Sequence, residues 1–253
     1  MPPSDELIAL IRQEIELYGD EFALAKSGWR IADGQGSTFA RPAKNRPAAA
    51  AGSAADLPPL PIEAINSLDE LSRVLCECRQ CSMSRNRQQV IFGAGNPKAD
   101  IVLVGDWPLR EDDQAGEPFR GEAGLLLDKI LASISLERSQ VYLCTILKCH
   151  PADHHDPQAK EIEICLTYLR KQLALIAPKF ILCLGHAAAV WLLRKKEPLS
   201  QLRGQTHNYL GARVIVTYAP ATLLRYPQYK RDTWQDMLLL RRLYDQSSSQ
   251  PVL

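Results

Sequence analysis

Four short apolar runs punctuate the second two thirds of the chain. They are "ADIVLVGD" from Ala99, "QVYLCTIL" from Gln140, "KFILCLG" from Lys179 and "ARVIVTYAP" from Ala212. None alternates cleanly between apolar and polar positions, which is the pattern of a strand buried on both faces. Between them lie "GLLLDKILASI", "EIEICLTYLRKQLALI" and "HAAAVWLLRK", whose apolar residues recur at helical spacing. Strand, helix, strand in this order predicts an α/β fold: a three-layer sandwich with a mainly parallel four-stranded central sheet and helices on both faces. In such sheets the working groups gather at the carboxyl ends of the strands. Those ends read "GDWPLRED", "LKCHPADHH", "LGHAAA" and "YAPATLLR".

The first quarter is patterned differently. Residues 1–30 carry Leu7, Ile8, Ile11 and Ile15 at three- to four-residue spacing, with Asp5 and Glu6 ahead of them, which predicts an amphipathic helix. That helix is suited to packing on the main domain or on a partner. Residues 31–62, including "RPAKNRPAAAAGSAADLPPLP", are rich in Ala and Pro with little to bury, and predict a flexible linker. The folded domain is expected over residues 63–246 and a disordered tail over 247–253.

Composition narrows the class without naming a chemistry. The 253 residues are 46% hydrophobic and 23% charged, ordinary for a globular enzyme. The net charge of +1 gives no global case for nucleic acid. Residues 1–62 hold six Lys and Arg against eight Asp and Glu, so the rest of the chain is about +3 and its basic residues matter only where they cluster. No apolar run approaches the roughly 20 residues of a membrane span, and the N-terminus lacks a basic lead and a cleavage site. A cytoplasmic, monomeric protein is expected. In that setting seven cysteines point to metal ligands or buried thiols rather than disulfides.

Cys78 and Cys81, in "CRQC", have the two-residue gap that lets two thiolates meet one metal centre. Cys149 and Cys165 bracket "HPADHHDPQAKEIEI", the second cysteine falling within a predicted helix. Two such pairs can complete a four-thiolate site for zinc or for an iron–sulfur cluster, and isolated buried thiols are the bland alternative. His150, His154 and His155 are further candidate ligands, more simply explained as a solvated loop. Cys144 and Cys183 sit in apolar strands and read as core thiols, and Cys76 is off the ligand spacing.

With these motifs in order, the chain resembles the family 4 uracil-DNA glycosylases, the iron–sulfur branch of that superfamily, from about Leu71 to Tyr244. The resemblance is carried by "CRQCSMSRNRQQVIFGAGNPKADIVLVGD", "EPFRGEAGLLLDKIL", "VYLCTILKCHP", "EIEIC" and "LLRYPQYKRDTWQDM". It implies that Cys78, Cys81, Cys149 and Cys165 hold a [4Fe–4S] cluster. It also implies that single- or double-stranded DNA is the partner, and that a flipped base is cut from its sugar in base excision repair. Phe119 matches the aromatic that stacks on the flipped base, with a core phenylalanine as the alternative. Leu224, Arg225, Lys230 and Arg231 match the segment that presses on DNA, with either Leu223 or Leu224 as the wedge; Lys98, Arg85 and Arg87 extend that footprint.

Three positions depart from the family's chemistry. Its Gly-Glu-Ala-Pro-Gly motif is here "GDWPL", so Asp106 keeps a carboxylate one methylene shorter and Leu109 replaces a glycine. Its base-reading asparagine is Thr145, whose hydroxyl does not reproduce the paired donor and acceptor of an amide. Its His-Pro motif is "YAPA", with Ala219 in the place of the histidine. Weak or altered activity on uracil is expected, or a catalytically degenerate protein that keeps the fold and binds DNA.

Overall fold

The computed structural model describes residues 62–151 and 157–248. The expected N-terminal helix lies outside the described residues, as does the linker apart from Ile62. Six strands form one sheet: β1 (Ala94–Gly95), β2 (Ile101–Gly105), β3 (Tyr142–Thr145), β4 (Phe180–Leu184), β5 (Thr206–Tyr209) and β6 (Ala212–Thr217), in the order β1-β3-β2-β4-β6-β5. The pairs β3/β2, β2/β4 and β4/β6 are parallel. Strands β1 and β5 close the two edges antiparallel. The sheet is therefore six-stranded rather than four-stranded. The two additions escaped the pattern because β1 is two residues long and β5, "THNY", is a polar edge strand.

The continuous apolar runs follow from burial on both faces. Ile101 and Leu103 of β2, Phe180, Leu182 and Leu184 of β4 and Ile215 of β6 enter one core. Val102, Val104, Ile181, Cys183, Val214 and Val216 enter the other. The first core is covered by α3 (Gly121–Ser133), through Leu127 and Leu131, and by α8 (Lys230–Ser248), through Met237 and Leu240. The second is covered by α1 (Leu68–Cys76), α4 (Ala159–Ile176), α5 (His186–Leu193) and α6 (Leu199–Leu202). Two six-residue helices, α2 (Arg110–Ala115) and α7 (Pro220–Arg225), follow β2 and β6.

Local chemistry sets the helix ends. Ser67 caps α1 by accepting from the Glu70 amide at 3.2 Å, and Asp69 and Glu70 favour its positive end. Glu161 reaches back to the Gln158 amide at 3.0 Å to start α4, which stops at Ala177 in a left-handed conformation. Helix α8 runs to Ser248, so the first two residues of the expected tail are helical. Among the described residues, no helix is long and apolar enough to cross a membrane.

Register aligns the strand ends. Gly105 lies opposite Thr145 on one side and Leu184 on the other, and Leu184 opposite Thr217. The residues that leave this rim, Asp106, Ile146, Gly185 and Tyr218, therefore emerge side by side.

Candidate functional site: a thiol centre and a strand-end pocket

Two arrangements occupy the carboxyl end of the sheet and its flank. The first is built from sulfur. Cys78 and Cys81 follow α1, Cys149 leaves β3, and Cys165 projects from α4; all four are buried. Burial pushes the Cys81 thiol up to about 11, with the charges of Cys149, Glu161 and Cys78 adding to it. The Cys149 and Cys165 thiols are raised as well, first by burial and then by neighbouring cysteines, Cys78 for the former and Cys149 and Cys81 for the latter. Among the described residues, however, no group of three or more His, Cys, Asp and Glu side chains is placed to hold a metal ion.

The surroundings of the sulfurs are donors. Arg87 Nη1 donates to Cys149 Sγ at 3.1 Å and its Nη2 to the Cys78 carbonyl at 2.7 Å. The Lys148 amide donates to Cys165 Sγ at 3.3 Å, and Cys78 Sγ lies 4.0 Å from the Tyr168 hydroxyl. The Arg87 and Lys148 donors favour thiolate at Cys149 and Cys165, whereas Cys78 donates to the Tyr168 hydroxyl. Arg87, expected on the DNA footprint, instead ties two of the cysteines together. Its role was hidden in sequence because its partners are 9 and 62 residues away. His150 is turned to the Pro108 carbonyl at 2.8 Å, and His154 and His155 lie outside the described residues. Cys144 and Cys183 are buried strand thiols, and Cys76 is exposed.

The second arrangement is the rim of β2, β3 and β6. Phe119 lies across Gly105: a Cβ added there would stand 2.6 Å from Phe119 Cζ and 3.3 Å from Thr145 Cγ2. Only the absence of a side chain at Gly105 lets the ring approach. Phe119 itself adopts a left-handed backbone with φ 57°, unusual for a bulky residue. Thr145 is buried, and its hydroxyl donates to the Leu147 carbonyl at 2.6 Å, leaving the methyl beside Phe119. Asp106 Oδ1 accepts the Ala188 amide at 2.6 Å, and the carboxylate lies against Gly185, where a Cβ would collide with it. The start of α5, where the helix dipole is positive, is a natural seat for that anion. Ala219 is the N-cap of α7 and offers a methyl group only.

The closing segment lies beside this rim. Leu223 is buried, whereas Leu224 is 41% exposed, which makes Leu224 the free apolar tip. Arg225, Lys230 and Arg231 are exposed at the end of α7 and the start of α8. Tyr229 stacks on Tyr218 with centroids 4.4 Å apart and Tyr226 leans on Tyr229. Beneath them Arg203 pairs with the fully buried Asp236 at 3.0 Å and donates to the Asp232 carbonyl at 2.6 Å, anchoring α8. Lys98 is exposed at the Asn96 turn.

Comparison with known proteins places this frame. Residues 92–238 match the model of the "Uracil DNA glycosylase superfamily". A "Type-4 uracil-DNA glycosylase" of Archaeoglobus fulgidus is 36% identical over 197 residues, covering 75% of this chain and 98% of that protein. One from Thermotoga maritima is 36% identical over 163 residues, 62% of this chain and 85% of its own length. One from Sulfurisphaera tokodaii is 32% identical over 188 residues, 71% of this chain and 86% of its own length. A parallel four-strand centre with helices on both faces, a phenylalanine laid across the end of β2 and a family match over residues 92–238 lead to one assignment: the chain belongs to the uracil-DNA glycosylase superfamily.

Proposed function

We propose that the protein is a DNA glycosylase of base excision repair that hydrolyses the N-glycosidic bond of a flipped, deaminated or damaged base. The observation that carries the reading is the meeting of Phe119, Gly105, Asp106 and Thr145 at one strand-end rim, beside an exposed apolar tip and a basic cluster. Relatives named as type-4 uracil-DNA glycosylases, aligned over most of their own length, support the substrate class.

Each residue then has a role. Leu224 fills the gap in the stack while Arg225, Lys230 and Arg231 hold phosphates. The extruded base stacks on Phe119. The bond from C1′ to the base nitrogen breaks with its electron pair going to the base, and the sugar develops oxocarbenium character. The Asp106 carboxylate, fixed by the Ala188 amide, supplies negative charge for that cation and orients the attacking water. Water oxygen bonds to C1′, and the proton it releases is taken up by the departing base. The Thr145 hydroxyl is already committed to Leu147, and Ala219 has no donor, so neither reads the uracil edge nor steadies the anion. Activity on uracil is therefore weak, and the pocket accepts bases by shape and stacking.

Cys78, Cys81, Cys149 and Cys165 would hold a [4Fe–4S] cluster. The chemistry of the donors fits: all four cysteines are buried, and two of them receive N–H donors. When bound, the cluster would cross-link the chain after α1 to the β3 exit and to α4. Residues 1–30 would tether a repair or replication protein.

The test is a panel of single- and double-stranded oligonucleotides carrying uracil, hypoxanthine or xanthine, with alkaline cleavage to reveal abasic sites. Abasic sites that are lost in Asp106→Ala support the reading. Salt-sensitive DNA binding with no abasic site on any substrate refutes it, and favours the degenerate binding protein that the occupied Thr145 hydroxyl also suits.

A further inference from the structure

We propose that Arg138 and Asp112 are positioning residues that lock Phe119 in its base-facing conformation from outside the pocket. The inference rests on the glycosylase reading of that pocket. Phe119 holds a left-handed backbone that a bulky residue leaves unless its surroundings prevent it. The Phe119–Arg120 peptide, whose rotation would relax the strain, is clamped at both its carbonyl and its amide. On the carbonyl side, Arg138 Nη2 donates to Phe119 O at 2.7 Å and to Gly124 O at 3.3 Å. Its Nε pairs with Asp128, one turn further along α3, so the guanidinium is fixed as a fork over the start of that helix. On the amide side, the next N–H, that of Arg120, donates to Asp112 Oδ1 at 2.6 Å.

The second Asp112 oxygen accepts the Leu109 amide at 2.8 Å. One buried carboxylate therefore joins the loop that leaves β2 with Asp106 to the loop that carries Phe119, and sets the distance between them. Gly124 completes the clamp, since a Cβ there would fall on the Phe119 carbonyl. Neither Arg138 nor Asp112 reaches the pocket. Without Arg138 the Phe119–Arg120 peptide keeps only its Asp112 anchor, its carbonyl swings away, and the ring leaves its place over Gly105.

The test compares Arg138→Ala, Arg138→Lys, Phe119→Ala and the double variant R138A/F119A in the full chain. Kinetics are measured on whichever base of the panel the wild type excises. Arg138→Ala is expected to lower kcat by about tenfold, the scale of one lost base-stacking contact, with KM for DNA within about twofold. The double variant is expected to be no slower than Phe119→Ala alone, because Arg138 acts through that ring. Millimolar guanidinium should restore part of the activity of Arg138→Ala and none of Phe119→Ala. Arg138→Lys keeps the charge beside Asp128 without the fork, and its smaller loss keeps the test valid if the alanine variant misfolds. Wild-type rates in both Arg138 variants, or additive losses in the double variant, overturn the proposal.

Amide exchange at Arg120, read on the same proteins and on Asp112→Asn, separates the two claims. Faster exchange in the variants alongside a wild type inactive on every base sinks the glycosylase reading and leaves the clamp standing. Unchanged exchange sinks the clamp.

Discussion

Replacing Gly105 by alanine tests where the base sits. The backbone at Gly105 is not left-handed, so alanine is conformationally acceptable there. The new Cβ would stand 2.6 Å from Phe119 Cζ and 3.2 Å from Cε1. Carbon atoms rest at about 3.5–4.0 Å, so the ring must withdraw by about 1 Å. Phe119 is half-buried, leaving it room to do so, and the stability cost should stay near the low end of the ~1–3 kcal/mol for overpacking. The functional cost is the stacking contact, about 1–3 kcal/mol per base, or about 5- to 150-fold in rate. Single-turnover excision from a fluorescein-labelled oligonucleotide, followed by alkali, reads the loss directly. Phe119→Ala should show a loss of the same order, and G105A/F119A should be no worse than Phe119→Ala because the collision has gone. If Gly105→Ala excises at the wild-type rate, or the two substitutions add, the ring over Gly105 is not the platform for the base.

Asp236→Ala leaves the Arg203 guanidinium, 14% exposed, without its buried partner. The expected loss is about 3–5 kcal/mol, or about 6–20 °C in Tm for a domain of this size; a Tm within 2 °C of wild type, roughly a 1 kcal/mol change at most, contradicts the anchoring role. Anaerobically purified protein should be brown and carry about four iron and four acid-labile sulfide per chain, with Cys165→Ser losing both. Stoichiometric zinc in colourless protein would replace the cluster with a single-ion site.

The frame was legible because its physics is local. Strands β2, β3 and β4 are short, wholly buried runs and β6 is buried except at Arg213, and burial on two faces writes itself as largely apolar sequence. The edge strands β1 and β5 carry no such signature, being short or polar, and only the fold shows that they pair. The cysteines stood out by spacing, but Arg87 looked like a surface cation until the structure placed it on Cys149. The side-chain identities at Asp106, Thr145 and Ala219 were readable; their directions were not. Thr145 turns to Leu147, two residues on, and Asp106 to Ala188, 82 residues away. The Phe119 clamp was invisible for the same reason, since Arg138 and Asp112 meet that loop across 19 and 8 residues with no periodicity to betray them.

The account turns on a retained frame whose polar base-reading groups are gone. The most direct measurement is single-turnover excision of uracil from a duplex oligonucleotide by the wild type and by T145N/A219H. One preorganised donor is worth about 10²–10³ in rate, so the double variant should gain at least about a hundredfold over a slow wild type. A wild type that already excises uracil rapidly, with no gain from the double variant, would contradict it.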